Sequence, residues 1–205
     1  MFRMQRPFEE VPADWNLLKG MKCAKANVPI FTYLNDTNAR CLAQTDDFVL
    51  YLNAATPYVE LYPDKPDRAG MSFAHFLAVP RERIYNAVTL RREDAQLIRV
   101  MREKVTAWMN DPEFRKRVGV EMAILYTPML TTKEIREKFA YQLDRFVYDV
   151  DGSYMQFFFH VHPEHSVGHL HMHSLAMDRE LLTPSYELNS DRNTPADEVL
   201  KKYCK

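Results

Sequence analysis

The chain has 205 residues, 46% of them hydrophobic and 27% charged, with a formal net charge of −1. This length suits one domain with a sizeable core, and the near-neutral balance argues against a global basic field for gripping a long nucleic acid, while a local anion site remains open. Cys23, Cys41 and Cys204 form no C-x-x-C pair, so neither a disulfide framework nor a cysteine zinc site is indicated.

The start, MFRMQRPFEEVPADW, has no apolar h-region, and no apolar run is long enough to span a bilayer. A reduced, intracellular protein of the cytoplasm or nucleus is expected, with no membrane partner. Residues 1–27 are read as an N-terminal extension. In "CLAQTDDFVLYLN" the apolar run Phe48 to Leu52 follows a polar turn and reads as a strand. Residues 55–70 hold three prolines and a glycine and read as a long excursion. A second strand, residues 72–80, closes on Pro80. Residues 89–110 are predicted helical, with Leu97, Ile98, Met101, Val105, Trp108 and Met109 at 3.6-residue periodicity and Thr89 as N-cap; Asp111-Pro112 interrupts the pattern. Residues 131–147 form another predicted helix. Thr131 and Glu134 have capping-box spacing, and Ile135, Phe139, Leu143 and Val147 make one stripe. The basic residues of both helices read as solvated faces. Residues 154–162 and 169–177 are predicted to be strands of an antiparallel hairpin with a short turn. Thr194 and Pro195 have the chemistry of an N-cap and first helical position for a terminal helix. With five glycines there is neither a G-x-G-x-x-G motif nor a P-loop.

Six of the seven histidines fall between His160 and His173. Along a strand, side chains alternate faces, so His169, His171 and His173 share one face while Leu170 and Met172 point into a core. His160 and His162 share a face of the partner strand. Three readings of this pattern compete. The imidazoles are satisfied structural groups, or ligands of a zinc ion completed from elsewhere, or nucleophilic machinery. Neutral imidazole is a good nucleophile toward phosphorus, and a protonated neighbour stabilises charge on phosphoryl oxygens while lowering the nucleophile's pKa.

The run His169-Leu170-His171-Met172-His173-Ser174-Leu175 resembles the H-φ-H-φ-H-φ-φ signature of the histidine triad (HIT) superfamily, in which φ is apolar; only Ser174 departs from it. Ser166, three residues before His169, matches a serine that many members keep near the leaving group. The run from His75 through Pro80 and Arg81 to Ile84 resembles the family's H-φ-φ-φ-φ-P-[KR]-x-x-[IH] strand, which supplies another active-site histidine. "FVLYLN" resembles the strand lining the nucleoside pocket, with Asn53 where hydrolases often carry an aspartate for the ribose. His162, four residues before the serine, makes the motif nearest to the scavenger-decapping C-terminal and aprataxin-like branches. The resemblance covers residues 28–180, with insertions near 55–70 and 111–147; residues 181–205 form a C-terminal segment with a short helix.

The resemblance implies an α+β fold, an antiparallel sheet with packed helices. It implies that His171 attacks an α-phosphorus to form a nucleotidyl-histidine, that His169 and His173 orient it and contact phosphate oxygens, that Ser166 sits near the leaving group, and that His75, His162 and Asn53 line the substrate site. His173, where the superfamily's nucleotidyltransferases resemble H-x-H-x-Q, favours a hydrolase. No metal or cofactor is required by this chemistry. The expected partners are a small nucleotide substrate and a second copy of the chain across the 88–110 helix, with no extended nucleic-acid binding. The alternatives are a zinc-dependent enzyme built on the same three histidines and a non-catalytic nucleotide-binding protein.

Overall fold

The computed structural model describes residues 23–25, 28–37, 40–162 and 164–204. Most of the expected extension, residues 1–27, lies outside them. Strands β1 (Cys23–Lys25) and β2 (Val28–Pro29) pair as a separate two-stranded ribbon before helix α1 (Ile30–Thr37). The main sheet takes β3 (Cys41–Gln44), β4 (Phe48–Leu52), β5 (His75–Pro80), β6 (Met155–His160), β7 (Met172–Ala176) and β8 (Asn193–Pro195). Its spatial order is β3-β4-β5-β7-β6-β8, antiparallel at every pairing. Helices α2 (Ala95–Asn110), α3 (Pro112–Tyr126) and α4 (Lys133–Tyr148) intervene between β5 and β6, and α5 (Pro184–Leu188) and α6 (Ala196–Tyr203) follow β7. The expected α+β architecture is therefore present. Among the described residues, no helix is long and apolar enough to cross a membrane.

The register sorts the sheet into two faces, because directly paired residues share a face. Phe48, Leu50, Phe76, Ala78, Met172 and Ala176 join one large core with Leu97, Ile98, Met101, Val105, Met109, Phe114, Val118, Met122, Phe139 and Phe146 of the helices. The apolar stripe read for α2 thus packs inside the chain. On the opposite face, Tyr51, Leu77 and His173 stand in register, flanked by Val49, Val79 and His75. A smaller cluster there joins Phe31 of α1 to Val49, Tyr51, Leu77 and Val79. Ser174, the one polar residue in the family pattern's apolar positions, falls on the helix side, where its Oγ is buried without a hydrogen-bond partner.

Several boundaries differ from the sequence reading for local reasons. The 154–162 and 169–177 strands do pair, but β7 begins only at Met172, and a connection spanning 161–171 replaces the short turn. Pairing with β5 stops at Ala78↔Met172. Beyond it the Pro80 carbonyl is taken by the Asn35 amide at 2.8 Å and the His169 ring at 3.0 Å, so ladder bonds give way to side-chain bonds. Thr89 does not cap α2. It lies in a 3₁₀ turn capped by Asn86, and a second tight turn, Arg92–Asp94, precedes the helix. Asp111-Pro112 ends α2 and also starts α3: Pro112 takes its first turn and Asp111 Oδ1 accepts from the Glu113 amide at 2.9 Å. The cap of α4 is Thr132, one residue later than read, with Oγ1 accepting from the Ile135 amide at 3.2 Å. Thr194 pairs with Phe159 in β8 and does not cap α6. The C-terminal segment therefore contributes a strand to the sheet as well as a helix.

Candidate active site

His171 directly precedes β7, and its Nδ1 lies 2.8 Å from the carbonyl oxygen of His169. A carbonyl only accepts, so Nδ1 carries the proton and Nε2 keeps its lone pair. The ring is 7% exposed and packs against Phe31 of α1 at a centroid separation of 4.6 Å. The fixed tautomer, with its bare Nε2, is the form a nitrogen nucleophile needs.

His169 is tied at both ring nitrogens. Nε2–H donates to the Pro80 carbonyl at 3.0 Å, and Nδ1 therefore accepts from the Thr32 hydroxyl at 2.7 Å. Its ring locks the approach to β7, and its carbonyl orients His171. The expected contact of this ring with phosphate oxygens is not available in this arrangement, because both nitrogens are already bonded.

A second chain of bonds runs through His75. The Asn53 amide nitrogen lies 2.8 Å from His75 Nδ1, and the Met71 amide 3.4 Å from the same atom. Asn53 Oδ1 accepts from the Ala55 amide at 3.4 Å, which is consistent with that amide orientation. His75 then holds its proton on Nε2 and donates to His173 Nδ1 at 3.0 Å. His173 in turn carries its proton on Nε2, and that atom is buried with no hydrogen-bond partner among the described residues. Asn53, read as a ribose contact, here sets the tautomer of His75 and, through it, of His173.

The sheet brings His75 and His173 together beside His171, whose ring centroid is 4.9 Å from that of His173. Ser166 and His162 lie on the 161–171 connection instead. Ser166 is exposed. His162 is half-buried, its backbone amide donates to Asn86 Oδ1 at 2.9 Å, and its ring stands beside that of His165 at 5.3 Å. His160, which was not among the candidates, stacks on His173 at 4.1 Å and bonds Asn193 of β8 at 3.0 Å. Strand alternation puts it on the histidine face, which is the signal that identifies it. Thr32, Asn86, Asn193 and Tyr85, whose hydroxyl lies 2.8 Å from His165 Nε2, also escaped the sequence reading, because each meets the site across a long stretch of chain.

Burial dominates the electrostatics. It holds His75 and His171 down at about 3 and His169 at about 4, and it sets His173 well below the ordinary histidine value. His160 is lowered too, by burial first, against the opposing pull of its Asn193 bond. The protonated neighbour expected beside His171 is therefore not supplied by His75, His169 or His173: these imidazoles are neutral because they are dry, and their mutual repulsion adds to that. The arrangement also bears on the zinc reading. With both ring nitrogens of His169 bonded, the three triad histidines do not form a tripod. Among the described residues, no three His, Cys, Asp or Glu side chains are placed to hold a metal ion.

No protein-family description and no curated protein matches the chain by sequence. Solved structures do match. The aprataxin ortholog Hnt3 from Schizosaccharomyces pombe is similar at 16% identity and a TM-score of 0.36, over 81% of this chain and 62% of that one. Hnt3 in complex with DNA and guanosine matches at 17% identity and a TM-score of 0.35, over 77% of this chain and 62% of that one. Hnt3 in complex with DNA gives 17% and 0.35, over 77% and 60%. The chain thus spans about three fifths of the length of these structures. The expectation of no extended nucleic-acid binding is not upheld, since two of the matching structures hold DNA, one of them with guanosine as well. The physical reason is that a net charge of −1 averages over the whole surface, whereas contact with nucleic acid depends on local charge.

Proposed function

We propose that this chain is a histidine-triad hydrolase that cleaves a nucleoside α-phosphoryl bond through a nucleotidyl-His171 intermediate. The observation that carries the reading is the 2.8 Å bond from His171 Nδ1–H to the His169 carbonyl, which leaves Nε2 as a lone-pair nucleophile of fixed orientation.

In the first step the Nε2 lone pair attacks the α-phosphorus. The bond to the leaving group breaks, and its electron pair departs with that group, which takes up a proton. In the second step water attacks the same phosphorus and loses its proton, the P–Nε2 bond breaks, and the pair returns to Nε2. A nucleoside monophosphate is released. His173 Nε2–H, buried and unpartnered, is the donor a phosphoryl oxygen would satisfy. His75 and Asn53 keep that proton in place. Ser166, on the 161–171 connection, is assigned to the leaving-group side, and His162, on the same connection, to the substrate site.

A screen over dinucleoside polyphosphates, nucleoside phosphoramidates, cap dinucleotide and adenylated DNA tests the reading and finds the leaving group. Release of nucleoside monophosphate from at least one, abolished by His171→Ala, supports it. Failure to turn over any of them, or full activity in the variant, rejects it.

A further inference from the structure

The bonding of His173 leaves one degree of freedom unaccounted for. Its ring is held in plane by a single hydrogen bond, at Nδ1, from His75. The opposite edge, Nε2–H, has no partner. One bond at one corner permits the ring to pivot, so the faces must supply the remaining restraint. The neighbouring rings of His171 and His75 are tilted, at 58° and 40°, with centroids 4.9 and 5.2 Å away. Among the described residues His160 is the ring that stacks on it, nearer at 4.1 Å and at 30°.

His160 is itself anchored. It stands directly across from Asn193 in the β6–β8 pairing, and its Nε2 lies 3.0 Å from Asn193 Oδ1. Asn193 Nδ2 donates to Met71 Sδ at 3.4 Å, which orients the amide and makes Oδ1 the acceptor, so the His160 proton sits on Nε2. The adjoining His160 carbonyl accepts from the Asn86 amide at 3.1 Å, so the end of β6 is pinned from both sides.

We propose that His160, fixed by Asn193, is a positioning residue that clamps the imidazole of His173 by stacking and holds its Nε2–H in the orientation needed to meet a phosphoryl oxygen. The proposal rests on the hydrolase reading above. It also gives the short edge strand β8 a role in the site: Asn193 is delivered by the C-terminal segment, far outside the histidine motif.

The test uses the full chain as His160→Ala, His160→Phe, Asn193→Ala and the His160→Ala/Asn193→Ala double variant. Two measurements are made on each: single-turnover cleavage of the best substrate, and ¹⁵N-histidine NMR of the His173 tautomer. The clamp requires that His160→Ala and Asn193→Ala each slow cleavage roughly tenfold, with the double variant no worse than the poorer single one, because the two act as a unit. It requires that His160→Phe, which keeps a stacking face, recover most of the rate. It also requires that His173, once free to swing off the His75 Nε2–H that fixes its tautomer, pass from a single Nε2–H tautomer to a mixture in His160→Ala while the other histidine signals keep their folded dispersion. Unchanged rates with an unchanged His173 tautomer would overturn the clamp, and so would equal losses in His160→Ala and His160→Phe. If the wild-type chain cleaves no substrate, the hydrolase reading falls, and the NMR measurement alone still decides whether His160 fixes His173.

Discussion

The carbonyl oxygen of His169 accepts the Nδ1–H of His171 at 2.8 Å, while the ring of the same His169 is fastened to Thr32 and Pro80. One residue thus supplies the acceptor that sets the tautomer of His171 and the anchor that keeps that acceptor still. The alternating spacing of the triad places this carbonyl two residues before the ring it orients.

The Thr32 contact is the first point to test. Thr32→Val preserves shape but removes the hydroxyl that donates to His169 Nδ1. An unmet buried acceptor costs about 1–3 kcal/mol. The variant is expected to unfold at lower denaturant by that amount and to lose part of its turnover, because His169 gains freedom to rotate. A denaturation midpoint equal to the wild type would show that the bond contributes nothing.

Stability should depend on pH through the dry histidines. In the unfolded chain they protonate near 6.5. In the folded chain His75 and His171 resist protonation down to about 3, and His169 to about 4. The unfolded state therefore binds more protons below about 6.5, so this contribution is complete above that pH and is lost progressively as pH falls toward about 3. Urea midpoints should drop clearly between pH 7 and pH 5. A flat profile over that window would contradict the burial account.

Activity should follow a different course on the acid side. Since burial keeps His171 neutral, the acid limb of kcat/KM is expected well below 6.5 and to merge with unfolding. The limb reports the coupled set His75, His160, His169, His171 and His173 rather than one residue. An acid limb near 6.5, in protein shown to be folded, would mean that the nucleophile is more hydrated than this pocket allows.

Chelation separates nucleophilic from zinc-dependent chemistry at the triad. Both ring nitrogens of His169 are already bonded, so zinc would have to break the Thr32 or Pro80 contact to use it. Turnover after exhaustive treatment with a chelator should match that of untreated enzyme. Loss of activity restored by zinc would favour the metal reading.

The triad spacing, the strand Phe48 to Leu52, the Pro80 stop and the stripes of α2 and α4 were all legible, because each is a local pattern with a period or a punctuating residue. Leu170 and Met172 do face the helix-covered core. Helix α3 was harder. Its exposed face carries Val120 and Ile124, 59% and 66% exposed, so its apolar residues do not fall on one side. Strands β3 and β8 are too short to show alternation. The partners that fix tautomers were illegible for another reason. Thr32 meets His169 across 137 residues and Asn53 meets His75 across 22, and neither pair has a spacing that marks it.

The central claim is that His171 is the nucleophile, and trapping the intermediate tests it most directly. The chain is mixed with an α-labelled substrate, quenched within the first turnover, digested and mapped by mass spectrometry. A nucleotidyl phosphoramidate on His171, labile to acid and stable to base, is the expected result. His171→Asn should form none and should turn over ~10³-fold more slowly or worse while remaining folded. A nucleotidyl group on a different histidine, or near-normal turnover by His171→Asn, would contradict the account.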